Sequence, residues 1–235
     1  MDNTIYLPGG VNQFNHLKEN SELNEKSILI IGANTESVAK LFLEAGANSV
    51  KIIIDDYDLL IKARLVIDRI ERVTVKFMEY TNTDFDAATF DIVYAQGSIS
   101  NSERNKILKE VKRILKSQGI FIVGEYISLT EAAPKYVKDV WENGNILPLN
   151  YSKLTEYYKT RNFDVVDVFE LSSKLKEFYT TSKKLLNEKV DLLTEQEKIY
   201  YKKLLKRINH ESNVYLKLGG RDYMGFSSII LRKNQ

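Results

Sequence analysis

The stretch Ser27-Ile-Leu-Ile-Ile-Gly-Ala-Asn-Thr-Glu36 decides the fold. Its first half is a short, continuous apolar run, the pattern of a strand buried on both faces. Gly32 breaks the run, and after the turn Val38, Leu41, Phe42 and Ala45 recur at helical spacing. Gly46 then closes the helix, as glycine often does just past a C-terminus. Val50-Lys-Ile-Ile-Ile54 follows as a second buried strand, ending at Asp55 and Asp56. Two such strands around one helix predict a β-α-β unit with a parallel crossover.

Working outward, the alternation continues. Leu59 to Ile70 reads as an amphipathic helix and Val73 to Phe77 as a short strand. Phe90 to Ala95 is another apolar strand, leaving through Gln96-Gly97-Ser98. From Ser102 onward, Ile107, Leu108, Val111, Ile114 and Leu115 mark one helical face, and Ser117-Gln-Gly119 turns the chain into Ile120–Val123. Helices separating short apolar strands predict a mostly parallel α/β sheet covered on both faces. The second half is different. Helices are expected at Tyr136–Trp141 and Tyr151–Tyr158, broken by Leu147-Pro148, then a strand over Phe163–Phe169. Two charged amphipathic helices near Ser172–Glu188 and Thr194–His210 precede a closing strand at Tyr223–Leu231. Neither a repeat nor a proline-rich linker interrupts the 235 residues, so a single domain is expected.

Composition narrows the chemistry. A formal net charge of +2, from 34 basic and 32 acidic residues, offers no concentrated basic face for nucleic acid. The lysines of the last third alternate with glutamates, as on a solvated helical surface. With no cysteine, disulfides and thiolate metal sites are ruled out. The two histidines, His16 and His210, lie far apart in sequence, which disfavours a zinc site or a Ser-His-Asp triad, and each is expected at the surface. No signal peptide or bilayer-length apolar run is visible, so no membrane role and a cytoplasmic location are expected.

In an open parallel sheet, ligands bind beyond the carboxyl ends of the strands, where strand order reverses. The turn Gly32-Ala33-Asn34 is therefore the first candidate, since a helix N-terminus there offers backbone N–H groups to a polar ligand. Asp55 stands about 20 positions after Gly32, the spacing expected for a carboxylate that meets a ribose. Asp56 is the alternative for that role, and either acid could instead cap the following helix. Gln96, ending a central strand, is placed at the same edge.

These features resemble the class I S-adenosylmethionine-dependent methyltransferases. The resemblance rests on Ile28-Leu-Ile-Ile-Gly-Ala-Asn-Thr-Glu36, Asp55, Phe90-Asp-Ile-Val-Tyr-Ala-Gln96 and Val111-Lys-Arg-Ile-Leu-Lys-Ser-Gln-Gly-Ile120. It implies a Rossmann-like, mostly parallel seven-stranded sheet with helices on both faces, an antiparallel last strand and a helical insertion before it, at about 172–211. It also implies a covering segment over 1–26, whose Leu7-Pro-Gly-Gly10 resembles the opening of some small-molecule enzymes, a cofactor half over 27–126 and a substrate half over 127–235. The implied cofactor is S-adenosylmethionine, giving S-adenosylhomocysteine, with no metal. Gly32, Ala33, Asn34, Asp55, Asp56, Tyr80, Thr81 and Gln96 are the residues expected around it, with Tyr80 and Thr81 on the adenine side.

The departures from the family pattern are specific. Ile30 replaces an acid, Asn34 and Glu36 replace loop glycines, and Tyr80 or Thr81 replaces the acid after the third strand. A small-molecule acceptor is expected, in a pocket drawing on Tyr126, Trp141, Tyr151, Tyr157, Tyr158, Phe178 and Tyr179. Two other readings stay open. One is a catalytically degenerate binding or assembly protein that uses the C-terminal helices for a homodimer or a protein partner. The other is a nicotinamide-dependent oxidoreductase.

Overall fold

In a computed structural model, residues 5–67 and 70–234 are described. The elements run α1 (Asn12–Asn20), β1 (Ser27–Ile31), α2 (Glu36–Glu44), β2 (Ser49–Ile54), α3 (Tyr57–Ile67), β3 (Val73–Phe77), β4 (Phe90–Gln96), α4 (Arg104–Ile114) and β5 (Leu115–Ser128). The second half adds α5 (Lys135–Asn143), β6 (Leu149–Asn150), α6 (Leu154–Lys159), β7 (Phe163–Glu170), α7 (Leu175–Val190), α8 (Glu195–Tyr200), α9 (Lys202–Lys217) and β8 (Met224–Lys233).

The strands form one sheet in the order β3-β2-β1-β4-β5-β8-β7. β1 to β5 are mutually parallel, and β8 runs antiparallel between β5 and β7. The seven strands expected from the sequence are all present. An eighth, the two-residue β6, pairs with Ile127 and Ser128 just after the Leu147-Pro148 break. β5 extends well past the expected Ile120–Val123, because the long β8 pairs with it from Ile120 to Ser128. A nucleotide-binding sheet of the 3-2-1-4-5-6 type is parallel throughout, so the inserted β8 separates this topology from the nicotinamide reading.

Alternation along β1 sends successive residues to opposite faces. Leu29 and Ile31 join the core beneath α4 and α6, with Val93, Val111, Phe121 and Tyr158. Ile28 and Ile30 face α1, α2 and α3, beside Phe14, Leu17, Val38 and Phe42. A third cluster ties α5, α7 and α9 to β8 through Val140, Trp141, Tyr179, Val214 and Phe226. The expected insertion helix at 194–210 is two helices, since α8 and α9 meet at Tyr201.

His16 departs from its expected surface position: it is buried, whereas His210 is exposed. As α1 packs Phe14 and Leu17 into the core, the same turn carries His16 onto β7 and β8. There Nδ1 lies 2.8 Å from Ser228 Oγ and Nε2 lies 2.9 Å from Asp167 Oδ2.

At the opposite end of the sheet, Asp91 accepts from the Ser27 hydroxyl at 2.6 Å and from Lys116 at 2.8 Å. Burial alone would raise its pKa, but these hydrogen bonds and the Lys116 charge outweigh it and hold the carboxyl at about 2. A depressed carboxyl pKa stabilises the fold above the unfolded value and ceases to as pH falls through the folded one. Asp91→Asn is expected to lose roughly 1 kcal/mol at pH 7, after allowing for solvent screening of a partly exposed pair. That difference should fade between about pH 4 and pH 2 in urea titrations at stepped pH.

Candidate active site

Order reverses at β1, which has β2 on one side and β4 on the other, so their following loops diverge and leave a crevice. Gly32 and Gly97 stand on its two sides. Gly32 has φ +124°, and a Cβ there would lie 2.7 Å from the Ser98 Cβ. Ser98 Oγ donates to the Ile31 carbonyl at 2.6 Å, which stitches the two turns together. Only glycine fits this point, because both the backbone angle and the space forbid a side chain.

Ala33 is half-buried against the core on the α1 face, and Asn34 is exposed in the left-handed region at φ 59°. Asparagine is among the few residues that adopt it readily. Thr35 spends its hydroxyl on the Gly32 carbonyl at 2.9 Å, so α2 starts at Glu36 without a side-chain cap. The first-turn N–H groups of α2 are left to solvent or a ligand.

The two acids after β2 have separate roles. Asp56 Oδ1 accepts the Leu59 N–H at 2.9 Å and caps α3. Asp55, exposed, shares a hydrogen bond with the buried Tyr80 hydroxyl, whose pKa is driven far up by burial and by the Asp55 and Asp56 charges. Thr81 follows it, half-buried. Gln96 turns away from open space: its amide donates to the Pro8 and Gly10 carbonyls at 2.7 and 2.8 Å, and its oxygen accepts from Tyr94 at 2.6 Å. Gln13 adds a bond to the Ala95 carbonyl at 2.9 Å. Residues 8–13 are thereby clasped over the carboxyl edge of β4.

From this edge a cavity of about 600 Å³ opens toward the insertion. Tyr6, Asn34 and Gly97 line one end, while Tyr126, Phe178 and Tyr179 give it aromatic walls. The other expected aromatics lie elsewhere: Trp141 and Tyr158 are buried in the cores, Tyr157 donates to Asn105, and Tyr151 is exposed. Glu211 of α9 also lines the cavity. Burial lifts its pKa to about 6, against the opposing pull of Arg207, whose Nε lies 3.7 Å away.

Glu211 escaped the sequence reading, although a signal was there. Leu204, Ile208, Glu211 and Tyr215 recur at three- and four-residue steps, so an acid sits within an apolar stripe. The loop after β4 is set from behind by another unanticipated group. Glu125, fully buried, takes hydrogen bonds from Ser100 at 2.5 Å and from Tyr158, and pairs with Arg104 at 2.9 Å.

Ser228, His16 and Asp167 do form a serine-histidine-aspartate chain, contrary to expectation. The Ser228 side chain is fully buried, so no substrate carbonyl reaches it, and the chain serves to hold α1 on the sheet. No helix among the described residues is long and apolar enough to cross a membrane.

Comparison with known proteins agrees with the topology. Residues 29–123 match the family model of a methyltransferase domain. A search of curated protein sequences finds no match. Among solved structures, a Haemonchus contortus phosphoethanolamine N-methyltransferase 2 in complex with S-adenosyl-L-methionine superposes with a TM-score of 0.78 at 17% identity, over 97% of this chain and 54% of that one. The 4+2 cyclase SpnF gives 0.72 at 20% identity, over 90% and 75%. The MccD protein gives 0.69 at 17% identity, over 99% and 100%. Residues 29–123 thus match a methyltransferase domain, and the chain built around them has the Rossmann-like fold of the class I S-adenosylmethionine-dependent methyltransferases.

Proposed function

We propose that this chain transfers a methyl group from S-adenosylmethionine to a small-molecule acceptor, releasing S-adenosylhomocysteine. The observation that carries this reading is one cavity joining the turns after β1 and β4 to an aromatic-walled chamber beneath α7 and α9. Its volume of about 600 Å³ suits a small organic molecule.

The residues present fit the cofactor. Asp55, hydrogen-bonded to Tyr80 and exposed, is placed to accept ribose hydroxyls, while Tyr80 and Thr81 wall the adenine side. Gly32, Ala33, Asn34 and the uncapped start of α2 meet the methionine portion, and Gln96 holds residues 8–10 over it. When bound, the sulfonium supplies a methyl group that is already activated. The protein's task is then to align the acceptor and exclude water, which explains why no acid-base pair stands out along the sequence. Residues 27–126 hold the cofactor, 127–235 the acceptor, and the described part of 1–26 covers both.

One alternative has observations behind it. Glu36 places a negative charge where the methionine carboxylate would approach, and a similar fold is named for a cyclisation, so the fold alone does not specify methyl transfer. Calorimetric titration with S-adenosylmethionine and S-adenosylhomocysteine separates the two. Saturable binding is expected, weakened about tenfold or more in Asp55→Ala through loss of a charged hydrogen bond. Asp56→Ala should instead cost about 1 kcal/mol of stability as a lost helix cap, with little change in affinity. Absence of binding at millimolar ligand would leave the degenerate reading in place.

A further inference from the structure

We propose that Glu211 is the proton acceptor of the acceptor pocket, and that the pocket takes a neutral aromatic molecule presenting a hydroxyl or an amine N–H. This rests on the methyl-transfer reading above and names the substrate class for it. Three features of the cavity converge on the assignment.

The first is continuity. Glu211 lines the same cavity as Asn34 and Gly97, so a molecule seated against the carboxylate extends toward the turns where the cofactor is placed. The second is the wall. Tyr126, Phe178 and Tyr179 offer rings, with Ile146 and Ile208 beside them, a surface that favours a flat apolar body. The third is unsatisfied polarity. Ser212, adjacent to Glu211 and in the same lining, is fully buried and its Oγ has no hydrogen-bond partner among the described residues. Buried polar atoms are nearly always paired, so an orphan in a cavity wall points to a partner supplied by a ligand or water.

The charges around Glu211 are few. Arg207 on the same helix lies 3.7 Å away but is itself largely exposed. Lys189 at the end of α7 is exposed on the rim, and Asp139 of α5 stands beyond Arg207. The phenols of Tyr126 and Tyr179 are buried and held neutral. Burial keeps the Glu211 carboxyl near 6, where it is mostly ionised at neutral pH yet still basic enough to accept a proton. With two cations and one anion at the lining, a cationic ligand gains little, and an anionic one would face the Glu211 carboxylate, which together favour a neutral acceptor. In the transfer, the lone pair on the acceptor oxygen or nitrogen forms the bond to the methyl carbon as the carbon–sulfur bond breaks. The electron pair stays on sulfur, which becomes a neutral thioether, and the acceptor's proton passes to the Glu211 carboxylate.

The test is equilibrium binding of 4-methylphenol and 4-methylaniline, measured by calorimetry from pH 5 to 8, with and without S-adenosylhomocysteine. Affinity for at least one probe should rise as pH passes about 6 in the wild type. At pH 8 it should fall about fivefold in Glu211→Gln, whose profile for 4-methylphenol, neutral throughout this range, should be flat, as expected when a charged acceptor becomes a neutral one. Ser212→Ala should weaken the same probe without flattening the profile. Circular dichroism melts confirm that both variants fold, and S-adenosylhomocysteine affinity should stay within about twofold of wild type. Failure of both probes to bind saturably, or an identical pH profile in Glu211→Gln, overturns the assignment. Loss of S-adenosylhomocysteine binding by the wild type would instead sink the transfer reading on which it rests.

Discussion

Arg104→Met is expected to remove about 3–5 kcal/mol of folding stability, the usual consequence of leaving a buried charge without its partner. Arg104 is 2% exposed and Glu125 is 0% exposed, so water cannot replace the lost contact. The guanidinium Nε stands 2.9 Å from Glu125 Oε1, and Nη2 donates to Glu125 Oε2 at 3.1 Å and to the Leu147 carbonyl at 2.5 Å. Burial works against the charge on Arg104, but Glu125 together with Tyr158 and Tyr157 outweighs it and raises its pKa. Without Arg104, Glu125 must either stay ionised in the core or take up a proton. The double variant Arg104→Met/Glu125→Gln should recover most of the loss, because no unpaired charge remains and the amide can still bond Ser100 and Tyr158. Urea unfolding of the single and double variants measures this directly. A single-variant loss below about 1 kcal/mol, or no recovery in the double, would refute the account. The same variant reaches the site, since Leu147 follows Ile146, which lines the cavity.

Gly32→Ala is expected to cost about 2–4 kcal/mol, from two separable sources. One is backbone strain, because φ +124° is closed to residues with a Cβ. The other is the 2.7 Å approach to the Ser98 Cβ, which cannot relax without breaking the Ser98 bond to the Ile31 carbonyl. Adding Ser98→Gly to Gly32→Ala removes the steric part and leaves the strain, so the double variant should regain part of the stability and no more. Full recovery would show that the backbone angle is unimportant. No recovery would show that the Ser98 approach is. Because this turn stands beside Asn34 and α2, S-adenosylhomocysteine affinity should fall in parallel with the distortion.

The strand-helix-strand unit opening at Ser27 was legible because each element carries its own period. Ile28 to Ile31 and Val50 to Ile54 are unbroken apolar runs, and Val38, Leu41 and Phe42 keep a helical step. The paired acids after β2 were legible as a candidate site but not as two structural roles. Assigning Asp56 to the α3 cap and Asp55 to Tyr80 depends on which carboxylate faces which backbone N–H. Gln96 was visible as a polar residue ending a central strand. That its amide binds Pro8 and Gly10 could not be read, since those residues are distant in sequence. His16 misled for a similar reason. A histidine in a polar-looking helix reads as exposed until the helix is laid against β7 and β8, where Ser228 and Asp167 meet both ring nitrogens.

By itself, then, the sequence determined the Rossmann-like class, the parallel core strands, the glycine turn and the edge of the sheet that carries the candidate site. These follow from local propensity and hydrophobic period, which act within one element at a time. Tertiary structure alone decided that Gly32 is demanded by Ser98, that the N-terminal segment is clasped by Gln96, and that Glu211 shares a cavity with Asn34. Each of these is a contact between residues far apart along the chain, set by how β8 inserts between β5 and β7 and carries the helices preceding it over the sheet's edge.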